Sequence, residues 1–546
     1  MPSHEGRPSC RRSARRSALF AAAVVLIVGP GLMSPGSAAG SNTLRLGIDA
    51  ADLGTGDPHR AAARNDRAVV DMIFNGLLRY KPGEAPLIEP DLAAEIPRPR
   101  IVEGKQVWTF HLRRDVMCQP GPQTPAYRMT ADDVVYSLRR AADPQRSAYA
   151  GDYQGMTVER VDDFTVDVVL DTPISSILFF PKVADYAGGF IVCRQAVEAA
   201  GGEGFADHPV GTGPFRFDSR QPGERVRLRA NKDYFRGRPL LEGVEVVYVP
   251  DFEERDAALR KGDLDVIFGS EEADWFEAIA DEESVHVDVF GVGQVITIHF
   301  NTGKPPLDDK RVRWALAYAL DRDVFRSHFA EGVVENAYSP VPAAFLPGGL
   351  THDEVARLGL DYAHDKAKAR ALLAEAGYHN GFHLKLVTSQ RHHYRANYES
   401  LRDQLAPFNI EVELEVVEHR IMHERIRQDE NAIVIYVAWR PNADVFLTRF
   451  FHSASTVVTG ASPDTNFSHY DQIDSLIEAA RSTREPARQV RIWKQAQIKL
   501  LDDAVAYPLH YVNLVYARGS HVDYGHALKA AMALYPQFNE KTRLEN

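Results

Sequence analysis

The sequence predicts an α/β protein of several domains, and three observations predict it. Strand-like apolar runs recur along the whole chain, at residues 165–170, 226–230, 244–249, 295–300, 383–387, 410–416 and 433–439. Helical periodicities lie between those runs, which is the alternation of an α/β architecture. The chain has 546 residues, and at roughly 100–200 residues per domain that length calls for about three domains with separate cores. No internal repeat or long low-complexity linker breaks this pattern. Gly- and Pro-rich breaks at 81–83, 209–214, 303–306 and 340–349 are the candidate boundaries.

Individual helices can be read from their stripes and caps. Val312, Ala315, Leu316, Ala319 and Leu320 follow the i, i+3, i+4, i+7, i+8 spacing. Asp308 and Asp309 open that helix, Asp321-Arg322 closes it, and Arg311 and Arg313 are expected on its outward face. Ala369, Leu372, Leu373 and Ala376 mark a second helix, with Gly377 placed as its left-handed cap. A third begins at Thr130, where Asp133 can reach back to the Thr130 amide ahead of Val134, Val135 and Leu138.

Composition excludes several classes. With 45% hydrophobic and 25% charged residues and three cysteines, the chain is neither collagen-like nor low-complexity nor disulfide-dense. Its 63 Lys and Arg against 75 Asp and Glu leave no excess positive charge for a phosphate backbone, so nucleic acid is not an expected partner.

The first residues read as an export address. Arg11, Arg12, Arg15 and Arg16 precede the apolar run 18–28, and Ser37-Ala38-Ala39 supplies small residues for cleavage, the three parts of a signal peptide at 1–39. The apolar run is shorter than the ~20 residues a membrane helix needs. Removing residues 1–39 deletes five arginines and one glutamate, taking the net charge from −12 to −16. Arg15-Arg16-Ser17-Ala18-Leu19-Phe20 also fits a twin-arginine signal, so both export routes stay open. Cys10 lies before the apolar run, where it cannot become a lipid-modified N-terminus. A periplasmic protein with no membrane anchor is expected. Cys118 and Cys193 then form an even pair in an oxidising compartment, and a disulfide is expected, with two buried thiols as the alternative. The bridge contributes roughly 3–4 kcal/mol on a chain-entropy account. Zinc is disfavoured, because the pair lacks a Cys-x-x-Cys spacing and histidine-rich flanks.

Several stretches, in order, resemble the extracytoplasmic solute-binding proteins of peptide and nickel ABC importers, family 5, which include the dipeptide- and oligopeptide-binding proteins. They are Asp57-Pro58-His59, Phe74-Asn75-Gly76-Leu77, the Trp108 to Arg113 run with Thr130 to Val134, Gly211-Thr212-Gly213-Pro214-Phe215, Phe300-Asn301, the Leu307 to Ala315 run, Ala376-Gly377-Tyr378, and the loop from Trp439 to Phe446. Two departures stand out: the cysteine-bearing loop 118–129 is longer than usual, and the usual Asp-Pro of the ligand loop reads Asp444-Val445.

The resemblance implies a two-lobed, periplasmic-binding-protein-like clamp of class II, with three domains. A discontinuous first domain would comprise 40–82, 210–297 and 500–546, an inserted small domain 83–209, and a third domain 298–499. It also implies a monomer that captures a peptide or similar small charged solute and delivers it to a membrane-embedded ABC permease, without enzymatic turnover and without a cofactor. Enclosing a peptide removes water from its ammonium and carboxylate, so the cleft must supply opposite charges. Asp444 resembles the position that receives the amine, with an N-terminal cap for helix 445–451 as its bland alternative. Arg391 falls where relatives place an arginine on the ligand carboxylate, a pairing that suits its fork; a solvated loop arginine is the alternative. Trp439 and Tyr436 are candidates for a side-chain pocket or for core, and Arg440 is a further carboxylate candidate.

The Gly211-Thr212-Gly213 and Gly291-Val292-Gly293 stretches lack the rest of a phosphate loop and read as turns. Two rival functions compete with this reading. A hydrolase is disfavoured, because the mature chain has no His-Glu-x-x-His, no Gly-x-Ser-x-Gly and no Cys-x-x-Cys. A nickel, haem or metal-chelate binder of the same fold rests on 20 histidines and on the i, i+4 pair His419 and His423. Glu418, Arg420, Glu424 and Arg425 around that pair favour a solvated charged face, and no metal ligand is assigned. His392 and His393 point to opposite sides if the segment is extended.

Overall fold

The computed structural model describes residues 42–280 and 282–545; the signal peptide expected at 1–39 lies outside them. Among the described residues no helix is long and apolar enough to cross a membrane.

A mixed nine-stranded sheet forms the centre. Its strand Thr43–Ile48 runs parallel to Gly243–Tyr248 and to Val266–Phe268, burying Leu44, Leu46 and Ile48. Arg225–Ala230 shows why one face goes inward. Val226, Leu228 and Ala230 are buried, while Arg225 and Arg227 between them reach Glu245 on the next strand at 2.6 and 3.2 Å. Two long antiparallel strands, Val285–Phe300 and Ala506–Gly519, carry the sheet across to Ile433–Ala438. Their register shifts between Gly291 and Gln294, where Gly293 has φ +73°. A Cβ on Gly291 would lie 2.1 Å from the Phe345 ring. These glycines, expected in a turn, instead form an irregularity inside a strand, where two extra residues are taken up between Gly291 and Gln294.

A smaller antiparallel sheet orders Pro99–Val102, Lys105–His111, Thr165–Leu170 and Met156–Asp162. Helix Ala131–Ala141 packs beside it, with Val134 and Leu138 buried, and the Trp108 ring stacks on Phe179 at 4.6 Å. The start of that helix is tied from several sides: the Asp133 carboxylate accepts from the Thr130 amide at 3.0 Å, the Arg194 amide at 3.0 Å and the Tyr127 hydroxyl at 2.5 Å. Cys118 and Cys193 are bonded, linking the hairpin Met117–Cys118 and Tyr127–Arg128 to the residue that precedes helix Arg194–Ala199.

Beyond the long strands, Phe382–Ser389 and Ile410–Val417 pair in parallel through the crossover helix His392–Leu405. Helices Lys310–Ala319 and Lys366–Glu375 pack together, and Gly377, at φ +88°, ends the second. One detail departs from the sequence reading. Arg313, expected on the outward face, is buried and donates to the carbonyls of Leu307 at 2.7 Å and Asp503 at 2.9 Å. Its guanidinium thereby supplies donors to two main-chain carbonyls.

Candidate functional site

Strand Ile433–Ala438 ends at Trp439, and the chain turns through Arg440 and Pro441 into helix Ala443–Phe451. The cap of that helix is Asn442, whose side-chain oxygen accepts from the Val445 amide at 3.0 Å. Asp444 is therefore not the cap. It sits in the first turn, 9% exposed, with one carboxylate oxygen 3.2 Å from Arg481 Nε and the other, Oδ1, without a partner. Burial pushes its carboxyl pKa up, against the opposing pull of Arg481.

That unpartnered oxygen belongs to a residue lining a cavity of about 550 Å³. One wall comes from residues 151–186, including Asp152, Met156, Lys182 and Tyr186; the other comes from 441–445 with Arg481. Lys182 donates to the Asp152 carbonyl, and burial lowers its pKa while Asp152 and Asp444 oppose that shift. The cavity thus holds both signs of charge in partly desolvated positions, as a zwitterionic ligand requires.

The remaining candidates divide between the two ends of strand and loop. Trp439 packs against Tyr186 at 5.5 Å, and its indole N–H has no partner. Arg440 donates to the Trp439 carbonyl at 2.8 Å and lies over the Phe450 ring at 5.0 Å. Its Nε has no partner, and burial lowers its pKa. Tyr436 is buried between Phe450 and Phe467, at 5.7 and 5.2 Å, and its hydroxyl accepts from Arg427 at 3.1 Å.

Arg391 is exposed and caps helix His392–Leu405 by position. It lines a second cavity of about 610 Å³, together with His393, His419, His423 and the edge of Tyr436. His392 and His393 begin a helix there, so the extended geometry expected for them does not apply. His419 and His423 do not form a plainly solvated face: their Nε2 atoms are 3.2 Å apart in the cavity wall. Burial first, then His419, Arg427 and Arg391 nearby, lower the His423 pKa to about 4; His419 is lowered by burial and by Arg391. Among the described residues no group of three or more His, Cys, Asp or Glu could hold a metal ion.

Sequence reasoning missed Asp152, Lys182, Tyr186 and Arg481, which face Asp444 from distant parts of the chain. No local pattern marks them, because their common role depends on Asp444 meeting residues 151–186, more than 250 positions earlier, and Arg481, 37 positions later.

Comparison with known proteins places this geometry in a family. The family description "Bacterial extracellular solute-binding proteins, family 5 Middle" matches residues 88–457. The chain is 28% identical over 464 residues to the dipeptide-binding protein of Escherichia coli (strain K12), covering 80% of this chain and 82% of that one. It is 27% identical over 462 residues to heme-binding protein A of Haemophilus influenzae, covering 80% and 81%. A solved structure of MoaA from A. tumefaciens R10 in complex with mannopinic acid superimposes with a TM-score of 0.73 at 35% identity, covering 93% of this chain and all of that one. The α/β fold, the cavity between two segments and a match across most of the length agree: the chain belongs to the bacterial extracellular solute-binding proteins of family 5, whose members bind solutes and are not enzymes.

Proposed function

We propose that this protein is the periplasmic binding component of an ABC importer. It captures a peptide or similar small charged solute between two lobes and hands it, chemically unchanged, to a membrane permease. The observation that carries this reading is Asp444, a buried carboxylate with one unpartnered oxygen, on the lining of a cavity of about 550 Å³. An ammonium is the ligand group that completes it. The dipeptide-binding relative supports a peptide, and the mannopinic acid complex supports a small charged solute of another kind.

In this reading residues 1–39 are removed on export and the mature chain acts as a monomer. Its first domain comprises 40–82, 210–297 and 500–546, its inserted domain 83–209, and its third domain 298–499. Strand Val285–Phe300 passes from the first domain into the third, and closure follows when a ligand contacts both lobes better shut than open. Mass spectrometry of solute released from natively purified protein, followed by calorimetry with that solute, tests the function. Solute-dependent rises in melting temperature and a more compact scattering profile are expected. Covalent conversion of the solute, or indifference to every candidate solute, overturns it.

A second reading, a metal-chelate ligand, is favoured by the facing imidazoles of His419 and His423 at 3.2 Å. Burial lowers both pKa values, which favours the neutral imidazoles that can offer lone pairs, and the chelator would supply the remaining ligands. Nickel titrated alone and with free histidine, against the His419→Ala and His423→Ala variants, separates this reading from peptide capture.

A further inference from the structure

The cavity lined by Asp444 has an apolar side that its charges do not account for. In the small sheet, Val166 and Val168 are buried on one face of strand Thr165–Leu170, and that face ends at Leu170 in the cavity lining. Met156, directly opposite Leu170 on the neighbouring strand, shares that face and also lines the cavity. Gln106 is opposite Leu170 on the other side. It donates to the Ile174 carbonyl at 2.9 Å and accepts from the Ile174 amide at 3.0 Å, which ties Ile174, a third apolar lining residue, to the sheet. Leu178, on helix Ser176–Phe179, completes this wall. Leu170 and Leu178 are 5% and 8% exposed, so the wall is largely sheltered from water, whereas the lining residues Asp152, Gln154, Asp171 and Thr172 are exposed.

Most polar side chains of the lining already have partners in the protein. Lys182 donates to the Asp152 carbonyl, the Tyr153 hydroxyl donates to the Lys182 carbonyl at 2.8 Å, and Asn442 accepts from the Val445 amide. Arg481 donates to Asp444 and, at 2.6 Å, to the Thr448 hydroxyl, and Asp171 pairs with Lys105 at 2.8 Å. A charged solute side chain set against Met156, Leu170, Ile174 and Leu178 would lose water and gain no opposite charge from them. An aliphatic or aromatic side chain in the same place would take apolar surface out of water on both sides of the contact.

We propose that Met156, Leu170, Ile174 and Leu178 form a specificity wall for an apolar side chain adjoining the solute's amine. The preferred ligand class is then a peptide, or another amine-bearing solute, whose first residue is aliphatic or aromatic, with the amine at Asp444 and the side chain on this wall. A cavity of about 550 Å³ has room for such a residue. This deepens the solute-capture reading and rests on it. Asp444 and the wall belong to segments far apart in the chain, so one residue of the solute touches both, and its binding favours their approach.

Calorimetry with leucylglycine, glycylglycine, lysylglycine and glutamylglycine tests it. Leucylglycine is expected to bind about tenfold to a hundredfold more tightly than glycylglycine, the span for burying one such side chain, and more tightly than either charged peptide. Met156→Ser and Ile174→Ser should each lower the ratio of leucylglycine to glycylglycine affinity by about fivefold or more; both residues are only half-buried, so the variants are expected to fold. Equal binding of leucylglycine and glycylglycine, tighter binding of a charged peptide, or a ratio that either variant leaves unmoved overturns the wall as a specificity element while leaving solute capture standing. Solute released from natively purified protein gives an independent readout. Mass spectrometry should find an amine on a carbon that bears an aliphatic or aromatic side chain, and any other retained solute overturns this proposal alone. If no peptide binds and no solute is released, the solute-capture reading fails, and the specificity wall with it.

Discussion

Replacing Asp444 by Asn keeps the shape of the side chain and removes its charge, so it separates a ligand-binding role from a structural one. An ammonium about 4 Å from a carboxylate gains about 4 kcal/mol at an effective dielectric constant near 20. Removing one partner of such an enclosed pair costs about 2–5 kcal/mol. The dissociation constant for an amine-bearing solute should therefore rise by about 30-fold to several thousandfold. The unliganded protein should behave differently. Arg481, the present neighbour of Asp444, has a 45% exposed side chain, so the pair contributes at most about 1 kcal/mol after screening. Burial raises the Asp444 pKa, which means the folded protein binds the proton more tightly than the unfolded chain. Its effect on stability is neutral at low pH and becomes unfavourable as pH rises through the raised value. Asp444→Asn should thus be as stable as the parent near pH 4 and no less stable at pH 7. Calorimetry with the retained solute and urea unfolding at both pH values give the two readouts. The reasoning is refuted if affinity is unchanged, or if the free variant loses more than about 3 kcal/mol at pH 7, which would mark Asp444 as a structural residue.

Three further outcomes follow from the same structure. Replacing Cys118 and Cys193 together by Ala releases a link across 75 residues and should cost about 4 kcal/mol by denaturant unfolding; because neither residue lines the cavity, solute affinity should stay within about threefold. His299 is buried among Phe450, Phe451 and Phe467, and burial lowers its pKa to about 3. Its contribution is complete above the unfolded value near 6.5 and is lost as pH falls toward 3, so His299→Gln should remove about 1.4 kcal/mol per pH unit of acid sensitivity below pH 6, measured as the difference in unfolding free energy between the two proteins. Asp133→Ala should cost about 3 kcal/mol, because it strands the Thr130 and Arg194 amides and the Tyr127 hydroxyl together; Thr130→Ala should cost only about 1 kcal/mol.

Much of the architecture was legible wherever the information was local. The run from Val226 to Ala230 reads as a strand, and Gly377 reads as a helix end by its freedom at positive φ. Asp133 marked a helix start, and the two mature cysteines marked their own bond. Where contacts span the chain, local pattern misled or fell silent. Arg313 looked solvent-facing on a helical wheel, but the carbonyl of Asp503, 190 residues away, takes it inside. Gly291 and Gly293 looked like a turn because glycine signals only permission for unusual backbone, and the strand Ala506–Gly519 that makes use of it lies far downstream.

The candidate site divides along the same line. Asp444, Trp439 and Arg440 could be nominated from one short loop, because that loop resembles the ligand loop of the family. Tyr186, Lys182 and Arg481 could not, because nothing near them in the chain distinguishes them from other tyrosines and cations. Residue order dictates helix, strand, cap and crosslink, which depend on neighbours within a few positions or on one strong bond. The composition of the cleft follows from which distant segments pack together, because charge, burial and unmet hydrogen bonds acquire meaning only when those segments meet.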